Sequence, residues 1–271
     1  MKHMIEPDWL REHLNDPNLI VLDASYPQVG GKKSSVEDHQ ILGARMFEID
    51  YFSDQSNPLP HMLAPANEFQ EKARNLGINK NSHLIIYDNL GIYSSPRAWW
   101  MFKAMGHNNV SVLNGGLPEW IEKGYPVERK MEREISPGDF VTNFQPQLVK
   151  SITEVKRNLE TKTFQVIDAR SKGRFDGSLP EPRPGLSSGH MPHSVNVPFE
   201  EVLEKGRLKS DEELKKKFSY IDTSKPLTFS CGSGLTACIT LMAADQILDN
   251  EKSVYDGSWA EWASKDEVII K

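Results

Sequence analysis

"KPLTFSCGSGLTACITLM", residues 225–242, changes character twice. The apolar run "LTFS" ends at Cys231, Cys-Gly-Ser-Gly follows, and "TACITLM" then shows the small and apolar spacing of a core-facing helix. Strand, turn and helix in that order put Cys231 at the carboxyl end of a strand, where ligands collect in open α/β sheets. Gly232 and Gly234 carry no side chain, so the sulfur is expected to stand uncovered while backbone N–H groups converge on a point above it. A helix starting near Leu235 or Thr236 turns its positive end toward the same point. An unperturbed thiol is only roughly 3% thiolate at pH 7, and a cradle of this kind favours an anionic sulfur. The alternative is a packing cysteine, since free Cys is among the most buried residue types. That reading fits Cys238, which falls inside the apolar helical pattern.

The surroundings of this stretch occur twice. "VLDAS" (Val21–Ser25) returns as "VIDAR" (Val166–Arg170), and "ILGARMFEID" (Ile41–Asp50) as "MPHSVNVPFEE" (Met191–Glu201). "HLIIYD" (His83–Asp88) returns as "PLTFSC" (Pro226–Cys231), and "VSVLNGGLPEW" (Val110–Trp120) as "SVYDGSWAEW" (Ser253–Trp262). Short buried strands alternate with amphipathic helices such as "ANEFQEKARNLG" and "DEELKKKFSY". One long period of this composition means two α/β domains, each with a mostly parallel sheet flanked by helices. The predicted boundaries are residues 1–130, a linker at 131–147 and a second domain at 148–271; the linker lies in a charged, then Pro/Gly-bearing run without periodicity. Asp88 holds in the first domain the position that Cys231 holds in the second, so only the second carries a nucleophile.

A chain of 271 residues is long enough for two such cores. Its 32 basic and 38 acidic side chains give a formal charge of -6, which speaks against nucleic acid or an anionic membrane as partner. No run reaches the length of a membrane span. The opening "MKHMIEPDWLREHLND" reads as an amphipathic helix, not a secretory leader. Two cysteines fit a reducing, cytoplasmic setting. Cys231 and Cys238 are separated by about 10 Å of helical rise, too far for a disulfide, and neither has a metal-ligand partner at the usual spacing. No cofactor is expected.

The loop narrows the chemistry. A cysteine phosphatase needs an arginine six positions after its nucleophile, and that position is Ala237. A thiol protease needs a partnered histidine and an oxyanion hole at a different kind of turn. A neutral, short, donor-lined loop suits a persulfide, Cys–S–S⁻, whose outer sulfur is the charge to be held.

Over essentially its whole length the chain resembles the tandem-domain rhodanese-type sulfurtransferases. The resemblance rests on "CGSGLT", on "GRFDGSLPEPRPGLSSGHMPHSVNVPF" (Gly173–Phe199), on "YSSPRAWWMFKAMGHNNVSVLNGGLPEW" (Tyr93–Trp120) and on "YDGSWAEW" (Tyr255–Trp262). It implies rhodanese-like domains, the first lacking the cysteine. Thiosulfate-preferring members carry Arg and Lys after the nucleophile, whereas members that use 3-mercaptopyruvate carry Gly and Ser, as Gly232 and Ser233 do here. Leu235 departs from the usual Val and keeps the position apolar. The implied loop is Cys231, Gly232, Ser233, Gly234, Leu235 and Thr236. Arg174 and Arg183 match the two arginines that bind the donor's carboxylate and carbonyl, a task suited to a planar guanidinium fork. Arg170 is expected to pair with a nearby acid. The resemblance further implies protonation of the released enolate by Ser233, relayed through His61 and Asp50 of the first domain. From the residues alone His61 reads equally well as a satisfied loop histidine, and Asp50 as a cap or turn aspartate. His190 and His193 read as structural, and Arg97, Trp99 and Trp100 as a packed helix face. The expected acceptor is a thiol, such as that of thioredoxin, or cyanide. A thiosulfate:cyanide sulfurtransferase and a non-enzymatic persulfide carrier are the alternatives.

Overall fold

The computed structural model describes residues 3–28, 36–131, 133–265 and 268–271. The chain forms two compact units. The first comprises Met1–Gln55, Leu63–Gln145 and Lys205–Leu208; the second comprises Ser56–Met62, Pro146–Glu204 and Lys209–Lys271.

In the first unit the strands Met4–Ile5, Val110–Leu113, His83–Tyr87, Leu19–Asp23 and Arg45–Met46 lie side by side in that order, all parallel. In the second unit the order is Val195–Asn196, Gln165–Asp168, Leu227–Ser230, Lys252–Tyr255 and Val149–Lys150, again all parallel. Read by rank along the chain, both sheets run first, fifth, fourth, second, third strand from one edge to the other. The repeated sequence blocks therefore build one topology twice. In each sheet the fourth strand lies between the second and the fifth, so the loop after it opens where the strand order reverses, the usual place for a ligand.

The helices follow local signals. Ser151 caps Ile152–Thr161 and Ser210 caps Asp211–Lys217, each in a reciprocal capping box with the glutamate three residues on. Asp211, Glu212 and Glu213 in the first turn of the second of these, and Lys215, Lys216 and Lys217 in its last, complement the helix dipole. "ANEFQEKARN" forms Ala66–Asn75 and buries Phe69 and Ala73. The amphipathic start is the helix Pro7–His13, which buries Leu10. Val21, Ile85, Tyr87, Leu113 and Trp120 meet in the first core; Val166, Met191, Tyr255, Trp259 and Trp262 meet in the second. Ser95–Ala104 is buried almost throughout, with Arg97 stacked 4.5 Å over the Trp100 ring.

The run read as a linker packs onto the first unit as far as Gln145. Phe140 is fully buried there, and its carbonyl accepts Arg74 Nε at 2.8 Å. Among the described residues no helix is long and apolar enough to cross a membrane.

The loop after His83–Tyr87 shows what this turn can hold. Asp88 is fully buried, and its Oδ2 accepts the N–H groups of Tyr93, Ser94 and Ser95 at 2.8, 3.0 and 2.9 Å and the Ser95 hydroxyl at 2.7 Å. Its Oδ1 accepts Leu90 N–H at 3.0 Å. Burial pushes the Asp88 carboxyl above its ordinary value, and the donors of Ser95, Tyr93 and Leu90 oppose that shift. Asp88→Ala orphans buried donors and should cost on the order of 3 kcal/mol, seen as a lower urea midpoint. An unchanged midpoint would mean that these donors find other partners.

Candidate active site

Strand Leu227–Ser230 pairs with Gln165–Asp168 in a register that sets Ser230 opposite Asp168. The two strand ends therefore deliver Cys231 and the Asp168–Arg170 turn to one level of the sheet. Helix Ala237–Ile247 begins six residues after the cysteine, with Thr236 at its N-cap. Gly234 takes the left-handed backbone the turn requires, at φ +78°. Cys238 is fully buried on that helix, and its Sγ approaches the Gly234 carbonyl at 3.3 Å.

The expectation of an uncovered sulfur does not hold. Cys231 is 2% exposed, and Gly232, Ser233, Gly234 and Leu235 are buried with it. Two guanidinium groups occupy the space that the glycine leaves. A Cβ placed on Gly232 would lie 3.0 Å from Arg174 Nη2 and 3.3 Å from Arg183 Nη1. Glycine at 232 thus makes room for cations rather than for solvent.

Arg174, on the short helix Lys172–Phe175, is fixed by a fork to Glu181: Nε to Oε1 at 3.1 Å and Nη2 to Oε2 at 2.6 Å. The Glu181 side chain is 1% exposed and also accepts Arg170 Nη1 at 2.8 Å. Arg170 pairs in turn with Asp168, donates to the Gly189 carbonyl at 2.7 Å, and lies 4.0 Å over the Trp259 ring. Burial works against the Arg170 charge, but Asp168 and Glu181 outweigh it and hold the guanidinium above its ordinary value. Arg170 is the structural pair read from sequence. In the first unit the matching strand-end carboxylate, Asp23, takes Lys130 at 3.0 Å and Ser25 instead.

Arg183 differs from Arg174. Its Nη2 donates to Ser233 Oγ at 3.0 Å, and among the described residues it has no carboxylate partner. Ser233 Oγ also meets His61 Nδ1 at 3.0 Å. With Arg183 donating into the oxygen, the hydroxyl proton is free to point at an unprotonated Nδ1; a protonated Nδ1 makes the oxygen accept twice. His61 is buried at φ +63° and lies in Ser56–Met62, which groups with the second unit and not, as the sequence order suggested, with the first. Asp50 belongs to the first unit, where its Oδ2 accepts the Tyr26 hydroxyl at 3.2 Å. His190 is structural: it stacks on Phe175 at 3.9 Å and its backbone pairs with Ile270.

The Cys231 peptide is held from the other side. Its N–H donates to Ser258 Oγ at 3.2 Å, its carbonyl accepts Trp259 N–H at 2.9 Å, and the Gly232 carbonyl accepts Ala260 N–H at 2.9 Å. The sequence reading missed Glu181 and Ser258. Glu181 sits in a Pro/Gly-rich loop without periodicity. Ser258 had a legible signal, because the repeat sets "DGS" against "NGG".

A model of the Rhodanese-like domain matches residues 6–123 and 151–265. The chain belongs to the rhodanese-like family. It is 41% identical to the 3-mercaptopyruvate sulfurtransferase of Mus musculus, over 96% of this chain and 91% of that one. It is 40% identical to the thiosulfate sulfurtransferase of Rattus norvegicus, with the same shares covered. Its fold matches the crystal structure of SseA from Escherichia coli, described as a 3-mercaptopyruvate sulfotransferase, with a TM-score of 0.85 and 36% identity, covering 96% of this chain and 99% of that one. The match across both halves agrees with the two identical strand orders.

Glu181→Ala leaves Arg174 without its buried carboxylate and Arg170 with Asp168 alone, and should lower stability by on the order of 3 kcal/mol. A shift of less than about 0.5 kcal/mol in urea unfolding would contradict the buried network.

Proposed function

We propose that this protein is a 3-mercaptopyruvate sulfurtransferase in which Cys231 is the nucleophile. The observation that carries this reading is the approach of Arg174 and Arg183 to within 3.0 and 3.3 Å of a Cβ on Gly232, the residue next to the cysteine. A donor with its carboxylate a few bonds from its sulfur reaches both groups at once. The uncharged Gly232 and Ser233 suit the same donor.

The Cys231 thiolate attacks the donor sulfur. A Cys–S–S bond forms, the carbon–sulfur bond breaks, and its electron pair leaves on the enolate of pyruvate. The enolate takes a proton at carbon, and the outer sulfur remains as a persulfide. An acceptor thiol, such as that of thioredoxin, then attacks the outer sulfur and restores the Cys231 thiolate. Arg174 and Arg183 bind the carboxylate and carbonyl, and the Ser233–His61 pair supplies the proton. Donors along Gly232–Thr236 hold the persulfide charge, as the Asp88 loop holds a carboxylate. The chemistry calls for a reducing, cytoplasmic-type compartment that keeps the acceptor reduced, in keeping with two free cysteines.

Similarity to the rat thiosulfate sulfurtransferase favours a second reading, with thiosulfate as donor. Steady-state rates with both donors and cyanide separate the two. We expect kcat/KM to favour mercaptopyruvate and to vanish in Cys231→Ser. Arg174→Ala and Arg183→Ala should each raise the mercaptopyruvate KM by about tenfold or more, for a charge-assisted contact of about 2 kcal/mol. A preference for thiosulfate, or unchanged KM values, would overturn the assignment.

A further inference from the structure

Ser258 is the first residue of the short helix Ser258–Trp262 and is fully buried, with φ +50°. A side-chain-bearing residue is disfavoured in this left-handed region, and such outliers persist where the surroundings over-determine them. The first unit shows that the backbone here does not need serine. The matching residue is Gly116, at φ +54°. Leu117 N–H donates to the Asp88 carbonyl at 2.9 Å, just as Trp259 N–H donates to that of Cys231 at 2.9 Å. The two turns share a left-handed residue and this bond to the strand-end carbonyl. A Cβ on Gly116 would lie 2.4 Å from the carbonyls of Asp88 and Gly91, so glycine is required there.

The serine adds one thing to this turn. Its hydroxyl donates to the Tyr255 carbonyl at 2.8 Å, which orients the oxygen, and that oxygen accepts the Cys231 N–H at 3.2 Å. With the Trp259 bond, the nucleophile's peptide is gripped at both its N–H and its C=O. In the unit whose strand ends in Asp88 the position is the glycine that those close carbonyls require, and no side-chain hydroxyl is available to the strand end.

We propose that Ser258 is a positioning residue for Cys231: its hydroxyl fixes the peptide from which the sulfur projects, and the fold tolerates a left-handed serine for that purpose. The proposal rests on Cys231 being the nucleophile.

Three variants separate hydroxyl from backbone. Ser258→Gly removes both the hydroxyl and the strain, Ser258→Ala removes only the hydroxyl, and Ser258→Thr keeps the hydroxyl with a bulkier side chain. Melting temperature should fall from Gly to Ala to Thr, because strain at positive φ grows with branching. Turnover should follow the hydroxyl instead. Gly and Ala should lose roughly tenfold to a hundredfold in kcat with the mercaptopyruvate KM within about twofold, and Thr should stay near wild type. Should the Thr variant not fold, Gly against Ala still decides. Equal low kcat at different melting temperatures supports positioning; kcat that tracks melting temperature, or a wild-type kcat in Ser258→Gly, overturns it. The rate at which iodoacetamide alkylates Cys231 should rise in Gly and Ala alike as the peptide loosens, and no change in either overturns the proposal. Wild-type protein inactive toward mercaptopyruvate would count against the donor assignment alone, because the alkylation readout needs no donor.

Discussion

The buried carboxylate of Glu181 is the constraint on which the site depends. Two guanidinium groups converge on Gly232, and Arg170 lies behind them, so three like charges crowd one strand end. Unpaired, they would repel strongly in a poorly solvated setting. Glu181 binds Arg174 by a fork and Arg170 by a single bond, and Asp168 takes the rest of Arg170. Two cations and two carboxylates balance in this network. Arg183 is left bonded to the neutral Ser233. The excess positive charge of the site is thereby concentrated on Arg183, while Arg174 contributes a rigidly aimed edge.

The duplicated fold makes the chemical choice visible. Both sheets end their fourth strand in a loop leading to a helix, and both dock a short helix on the carbonyl at that strand end. The first unit closes its loop with its own anion, Asp88, bonded to five donors. The second replaces the carboxylate with a thiol and the left-handed glycine with Ser258. One scaffold thus carries a buried, fully bonded carboxylate in one unit and a buried free thiol in the other.

Much of this was legible in the residues. Buried runs such as "HLIIYD" and "LTFSC" marked the strands, amphipathic runs such as "ANEFQEKARNLG" and "DEELKKKFSY" marked the helices, and the repeated blocks carried the tandem topology. Cys231 stood out because glycines follow an apolar strand, and Arg174 and Arg183 because they resemble a known pattern. What stayed hidden depended on conformation or on distant packing. The approach of two guanidinium groups to Gly232, next to the buried thiol, brings in a loop some fifty residues earlier in the sequence. Glu181 has no period to betray it. The grouping of His61 with the second unit comes from an irregular segment, 56–62, that carries no local signal. The strain at Ser258 is a backbone angle, which residue identity alone does not state.

The central claim is that Cys231 takes sulfur from a carboxylate-bearing donor and keeps it. Intact-mass measurement after brief exposure to 3-mercaptopyruvate, without acceptor, tests it most directly. The account predicts a gain of one sulfur atom, about 32 Da, mapped to the peptide containing Cys231 and absent from Cys231→Ser, as the persulfide chemistry of a reactive thiolate requires. Turnover without that adduct, or an adduct on Cys238, would contradict it.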